Sequence, residues 1–115
     1  MSELWRDIVD YEGLYKISDL GRVLILKRLR ADGRTFPKKI MSKKPLTTGY
    51  INVGLIKNGV KINAFVHRFV AEAFIPNPDN KTTVNHKDGN RSNNVVSNLE
   101  WATQSENVRH GYKVL

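Results

Sequence analysis

Two alternating apolar runs, Tyr50-Ile51-Asn52-Val53-Gly54-Leu55-Ile56 and Val60-Lys61-Ile62-Asn63-Ala64-Phe65, stand on either side of Lys57-Asn58-Gly59, and nothing else in the chain constrains its fold as tightly. Asparagine and glycine both tolerate positive φ, which a two-residue turn matched to the twist of its strands requires. The segment is therefore expected to be a β-hairpin. The apolar period then lengthens at once. Phe65, Phe69, Val70 and Ala73 recur at helical spacing and predict a helix over 66–74. Ile75-Pro76-Asn77-Pro78 ends it, because proline offers no amide hydrogen and disfavours the helical conformation before it.

Strand patterns also fill the N-terminal half. Residues 15–18 and 22–26 flank the turn Asp19-Leu20-Gly21, a loop follows over 30–34, and residues 38–42 read as a further short strand. Beyond the prolines, Thr83-Val84-Asn85-His86 and Leu99-Glu100-Trp101-Ala102 read as two short strands around a turn-rich loop, residues 87–94. Thr103 or Ser105 is placed to cap a last helix running to about residue 112, with Gly111 near its end. The expected fold class is α+β: an antiparallel β-sheet element over 1–62, then a helix–strand–loop–strand–helix unit over 63–115. Trp5 and Trp101 are expected to anchor the core.

The 115 residues, 40% of them apolar, allow one modest core. The absence of cysteine excludes disulfide staples, cysteine-ligated zinc and thiol catalysis. No apolar run approaches the length of a membrane span, and the N-terminus has no signal-peptide core. A soluble cytoplasmic protein with no membrane partner is expected. The net charge of +8 is unevenly spread. Eleven Lys and Arg lie from Arg22 to Lys61 against one acid, Asp32, and the rest of the chain is slightly acidic. A block of that sign suits a polyanion, since neutralised phosphates release condensed counterions. Double-stranded DNA is the expected partner, with Arg22, Lys27, Arg28, Arg30, Lys38, Lys39, Lys43 and Lys44 as its contacts.

The candidate chemistry lies in the C-terminal unit. Folding the two short strands and the last helix on one another brings Ser105-Glu106-Asn107 beside the first strand, so that Asn107 faces His86 across a small polar cleft. Hydrolysing a phosphodiester requires a base for water, a cation to offset charge on the phosphate and the leaving oxygen, and a fixed geometry between them. The pKa of imidazole near neutrality suits His86 to the base role. Mg²⁺ takes oxygen ligands and retains several waters, so the side-chain carbonyls of Asn85 and Asn107 can suffice as its protein ligands. Three residues form a second tier. His110 lies one turn beyond Asn107, Arg91 in the loop is a phosphate candidate, and His67 at the helix start is expected mainly to pack within the fold.

The stretch Val66-His67-Arg68-Phe69-Val70-Ala71-Glu72-Ala73-Phe74-Ile75-Pro76-Asn77-Pro78, followed by Val84-Asn85-His86-Lys87-Asp88-Gly89-Asn90, Asn93-Asn94, Ser97-Asn98-Leu99-Glu100-Trp101 and Ser105-Glu106-Asn107, resembles the HNH endonucleases of phages and group I introns. Trp5-Arg6-Asp7-Ile8, Tyr11-Glu12-Gly13-Leu14-Tyr15, Ile17-Ser18 and Gly21-Arg22-Val23 are similar to the NUMOD-type DNA-binding element that often precedes that domain. The resemblance implies a ββα-metal nuclease domain over 63–115. In it His86 is the general base, Asn85 and Asn107 are metal ligands, and Asn98 braces the loop and helps orient the histidine. Mg²⁺ is the implied cofactor, with Mn²⁺ as the alternative. Cleavage would leave 5′-phosphate and 3′-hydroxyl ends, and the chain would belong to a phage or mobile element acting inside a bacterial host.

Many relatives carry Asp where this chain has Asn85, and a neutral amide binds a hard cation more weakly than a carboxylate does. Relatives often continue into a C-terminal helix-turn-helix, so specificity is expected to be low here or to come from a partner or a second copy. A homodimer would cut both strands where a monomer nicks one. The competing reading is a non-catalytic duplex-binding module that keeps the HNH half as a scaffold, and Asn85 is the residue that favours it. RNA binding through an exposed sheet is disfavoured, because the strands lack the paired exposed aromatics such sheets use.

Overall fold

The chain opens as an antiparallel meander in which β1 (Trp5–Asp7), β2 (Tyr15–Ser18) and β3 (Val23–Ile25) pair in sequence. β4 (Arg28–Leu29) and β5 (Thr35–Phe36) form a separate small ladder, after which β6 (Lys39–Ile40) joins the free edge of β3. A second antiparallel sheet, β7 (Lys44–Pro45), β8 (Ile51–Lys57) and β9 (Val60–Phe65), follows in that order. Then come α1 (Val66–Phe74) and a hairpin of β10 (Thr83–His86) and β11 (Leu99–Ala102). This computed structural model describes residues 3–26, 28–29, 35–36, 38–41, 44–45 and 47–106, with the backbone alone at 28–29, 35–36 and 44–45.

The β8–β9 turn takes the expected form: Asn58 and Gly59 have φ of 52° and 77°, the positive pair that keeps a two-residue hairpin in twist with its strands. The mixed α+β class and the antiparallel sheets agree with the sequence pattern. β1, β4, β5 and β7 are additions to it, each two or three residues long and therefore without a readable alternation. Among the described residues, no helix is long and apolar enough to cross a membrane.

Helix α1 has the predicted bounds, but its buried face is turned from the predicted one. Val66, His67, Val70 and Ala71 face inward, whereas Phe69 and Ala73 sit at the margin and Phe65 is exposed. Phe65 ends β9 on the face opposite the core-facing Val53 and Leu55, so its ring lies against Tyr50 and His67 instead. The helix ends where Ile75 donates its N–H to the Ala71 carbonyl at 3.0 Å. Pro76 follows and cannot continue the ladder.

One apolar cluster joins the two larger sheets, the helix and the hairpin: Ile8 just after β1, Tyr15, Ile17 and Val23 from the first sheet, Ile51, Val53 and Leu55 from β8, Val66, Val70 and Ala71 from α1, and Val84 and Leu99 from the β10–β11 hairpin. Burying each larger aliphatic side chain contributes roughly 1.5–3 kcal/mol. The core draws residues from both sides of position 62, and strand β9 continues unbroken across it. Two polar ties register the layers: Ile56 N–H donates to the Tyr15 hydroxyl at 3.0 Å, and the Trp101 indole N–H donates to the Ile75 carbonyl at 2.9 Å. Trp101 packs against the core as expected, and Trp5 is half-buried beneath the Arg22 guanidinium.

Candidate active site

The hairpin sets Asn85 opposite Glu100 and His86 opposite Leu99. Its connection would be loose without the bonds that knit it. Lys87 N–H donates to the Asn98 carbonyl at 2.8 Å and Gly89 N–H to the His86 carbonyl at 2.9 Å. The Asp88 carboxylate accepts from the Asn93 amide, the Asn98 amide and the Asn90 backbone at 2.8–2.9 Å. Those bonds, the one from Asn93 foremost, hold the Asp88 carboxyl below the usual carboxylate range. Asn98 also donates to the Asn93 carbonyl at 2.9 Å and accepts from Asp88 N–H at 3.1 Å. Its side chain is thus fully engaged in the loop.

The ring of His86 is held by Asn94 rather than by the Asn98 side chain. His86 is only 5% exposed, and its Nε2 lies 2.8 Å from Asn94 Oδ1. An amide oxygen only accepts, so Nε2 carries the proton and donates it, and the lone pair is on Nδ1. The edge of His67 (centroids 4.9 Å apart) and the ring of Tyr50 (6.0 Å) pack on the imidazole. Burial pushes the His86 pKa down. The Asn94 bond and the Asp88 charge oppose that shift, and Arg91 adds to it. The His86 imidazole is therefore neutral at physiological pH. Arg91 stacks over Tyr50 at 4.9 Å and donates to the Thr48 carbonyl at 3.1 Å, which steadies a cation near His86.

His67 is set differently. It is buried, its Nδ1 has no hydrogen-bond partner among the described residues, and burial, then the neighbouring His86 and Arg68, lowers its pKa to about 4. Asn85 is 5% exposed, and its Nδ2 donates to Glu100 Oε1 at 2.9 Å. That bond fixes the amide and leaves its carbonyl oxygen without a hydrogen bond among the described residues. The donors on this edge are an amide oxygen and a carboxylate, a set suited to a hard dication that keeps several waters. Among the described residues, no cluster of three or more His, Cys, Asp or Glu side chains could hold an ion without such help. Asn107 and His110 lie outside the described residues.

Comparison with known proteins places this arrangement. Residues 64–109 match the HNH endonuclease family and residues 3–56 match the NUMOD4 motif. Over residues 64–109 the chain is thus homologous to the HNH endonucleases, with a NUMOD4 segment before that part. It is 39% identical over 106 residues to DNA endonuclease I-HmuI of Bacillus phage SP01, a match covering 92% of this chain and 56% of that one. It is 41% identical over 85 residues to an uncharacterized HNH endonuclease of Acanthamoeba polyphaga mimivirus, covering 71% of this chain and 26% of the other. A solved structure titled "DNA binding and cleavage by the HNH homing endonuclease I-HmuI" superposes with a TM-score of 0.77 at 35% identity, over 97% of this chain and 60% of that one. The chain therefore spans between about a quarter and three-fifths of the length of these HNH relatives.

The basic residues nominated for DNA are not equivalent. Arg22 is engaged within the HNH chain itself, ion-paired with Glu3 and stacked over Trp5, which holds the Glu3 carboxyl below its ordinary range. Lys38 and Lys39 are exposed. Lys27, Arg30 and Lys43 lie outside the described residues, and Arg28 and Lys44 are described as backbone in β4 and β7. Sequence reading missed three neighbours of the site. Glu100 can be found by counting the register back from the pairing of β10 with β11. Asn94 reads only as a loop brace, and Tyr50 gives no local signal at all.

Proposed function

We propose that the chain is a metal-dependent DNA endonuclease in which His86 is the general base. The observation that carries the reading is the bond of the buried His86 Nε2 to Asn94 Oδ1, which leaves the lone pair on Nδ1, one residue from an Asn85 amide oxygen that has no hydrogen bond among the described residues. Water beside Nδ1 gives its proton to the imidazole as its oxygen bonds to phosphorus. The bond from phosphorus to the 3′ oxygen breaks in line, and that oxygen leaves with a proton from solvent, giving 5′-phosphate and 3′-hydroxyl ends. A dication, Mg²⁺ or Mn²⁺, held by Asn85 and Asn107 would offset the charge gathering on the phosphate and the departing oxygen. Arg91, braced by Tyr50, is suited to a flanking phosphate.

The duplex itself has a second place to rest. An open groove of about 300 Å³ runs past Ile25 and Met41 and carries Lys39, Lys61, Asn52 and Asn63. Lysines and amides of that kind suit phosphates and sugar edges. Acting on DNA, the protein would work in the cytoplasm of the host cell.

A supercoiled-plasmid assay tests the proposal. With Mg²⁺ or Mn²⁺ the chain should convert supercoils to relaxed circles, since one His86 site cuts one strand. His86→Ala should bind the plasmid and leave it intact. Equal nicking by His86→Ala overturns the base assignment, and binding without cutting in any divalent cation leaves a DNA-binding module instead.

A further inference from the structure

The turn between β2 and β3 reaches across to the loop that holds the base. Gly21 is buried with φ of 81°, and a Cβ built there would lie 2.8 Å from Asn94 Cβ and 2.9 Å from the Asn94 carbonyl oxygen. Real carbon atoms do not approach that closely, so only glycine lets the turn and the loop meet. The same two segments are bonded directly, Val96 N–H donating to the Asp19 carbonyl at 2.8 Å. The turn is itself rigid: Ser18 Oγ accepts from Leu20 N–H at 3.2 Å and Arg22 N–H at 3.1 Å, and Asp19 N–H donates to the Leu4 carbonyl at 3.0 Å. On the far side of this contact, Asn94 is 5% exposed and its Oδ1 accepts the His86 Nε2–H.

We infer that the β2–β3 turn of the NUMOD4 segment is a positioning element for the reaction: Gly21 seats Asn94, and Asn94 holds His86 in one tautomer and one orientation. The inference rests on His86 being the base. Neutral imidazole has two tautomers close in energy, and the hydrogen bond at one nitrogen decides which is present. With the Asn94 carbonyl at Nε2, the lone pair is always on Nδ1. Without it the proton divides between the nitrogens, and the ring can swing away from the water it must deprotonate. The NUMOD4 segment would then act in the chemistry and not only in holding DNA.

The test compares Gly21→Ala, Asn94→Ala and Gly13→Ala. Gly13 has φ of 80°, but a Cβ there meets nothing within 4 Å, so its variant shares the backbone strain without the collision. Three quantities are read: the single-turnover cutting rate at saturating DNA, the DNA affinity, and the ¹⁵N shifts of the His86 ring at pH 8 without metal. Gly21→Ala and Asn94→Ala should cut roughly 10–100-fold more slowly, the scale of a misplaced reacting group. Their DNA affinity should be unchanged, and Gly13→Ala should cut like the wild type. The ring should be wholly Nε2–H in the wild type and mixed in Asn94→Ala.

If Gly21→Ala does not fold, Ser18→Ala loosens the turn without crowding it and must slow cutting at unchanged DNA affinity. A Gly21→Ala rate equal to that of Gly13→Ala, a wild-type rate in Asn94→Ala, or an Nδ1–H tautomer in the wild type overturns the inference. If His86→Ala itself cuts normally, the base assignment falls instead, while the ring shifts still report whether Asn94 and Gly21 set the histidine.

Discussion

His67→Phe should leave cutting intact and stabilise the protein, most of all in mild acid. His67 is 7% exposed, and its Nδ1 is unpartnered among the described residues. A buried polar group left unpaired costs about 1–3 kcal/mol, which a phenyl ring of similar shape does not incur. A second contribution depends on pH. The ordinary imidazole value of 6.5 falls to about 4 in the fold, chiefly through burial. Between those values the unfolded chain holds a proton that the folded chain refuses. Stability therefore rises with pH across that window and is lost as pH falls through it. At pH 5 the loss relative to pH 8 comes to about 2 kcal/mol.

Phenylalanine has no proton to bind, so this loss disappears in the variant while the ring contacts to His86, Tyr50 and Phe65 are kept. Thermal melts of both proteins at pH 8, 6.5 and 5 give the measurement. At roughly 3–6 °C per kcal/mol for a chain of this length, the Tm gap should widen by roughly 6–12 °C between pH 8 and pH 5. Some acid sensitivity should remain in the variant, because burial lowers the His86 pKa as well. Equal pH slopes for the two proteins would refute the buried neutral state of His67. Loss of cutting in a folded variant would refute its role as packing and make it part of the chemistry.

Burial lowers the His86 pKa from the ordinary 6.5, so if His86 is the base the cutting rate should rise with pH with its midpoint below that value; a midpoint above 6.5 points to another base. Asn85→Asp sets a second carboxylate against Glu100, now an amide partner at 2.9 Å, so the metal-free Tm should fall while Mg²⁺ affinity by calorimetry rises about tenfold; unchanged affinity would remove Asn85 from the ligand set. Thr103→Ala breaks a reciprocal cap in which Glu106 N–H donates to Thr103 Oγ1 at 3.1 Å and Thr103 N–H to Glu106 Oε1 at 2.9 Å. Its loss should lower stability by about 1 kcal/mol, read as a Tm drop, and an unchanged Tm would show that the cap does not tie down the segment leading to Asn107.

What the sequence discloses depends on how local the cause is. The β8–β9 hairpin and α1 are readable because a turn chemistry and a sustained period act within a dozen residues. The strands β1, β4, β5 and β7 exist because a neighbouring edge accepts them, and nothing in two or three residues announces that. At the site, His86 and Asn85 are legible by type and by motif. The sequence offers Thr103 or Ser105 as a cap, and the reciprocal bonds with Glu106 select Thr103. The partner of the His86 ring is not legible. Asn93, Asn94 and Asn98 are alike in chemistry, and only the folded loop turns Asn98 to Asp88 and Asn94 to the imidazole. The collision that excludes a side chain at Gly21 is still less visible, since its other half lies in a different sequence motif.

That last contact bears on why the two motifs occur together. A hairpin of two four-residue strands is marginal on its own in water. β10 and β11 stand because Val84 and Leu99 enter a core built mainly by the N-terminal sheets and α1, and because Trp101 and Arg68 bond across to the Ile75 and Thr82 carbonyls at 2.9 Å. The Asp19 carbonyl holds Val96 from the other side. The position of the His86 imidazole is thus determined by elements on both sides of residue 62. A catalytic geometry must be held to a fraction of an ångström, and here the segment that supplies much of that rigidity is also the one that carries the basic groove. On the proposed reading, one core that carries both the groove and His86 would set where a bound backbone lies relative to the base.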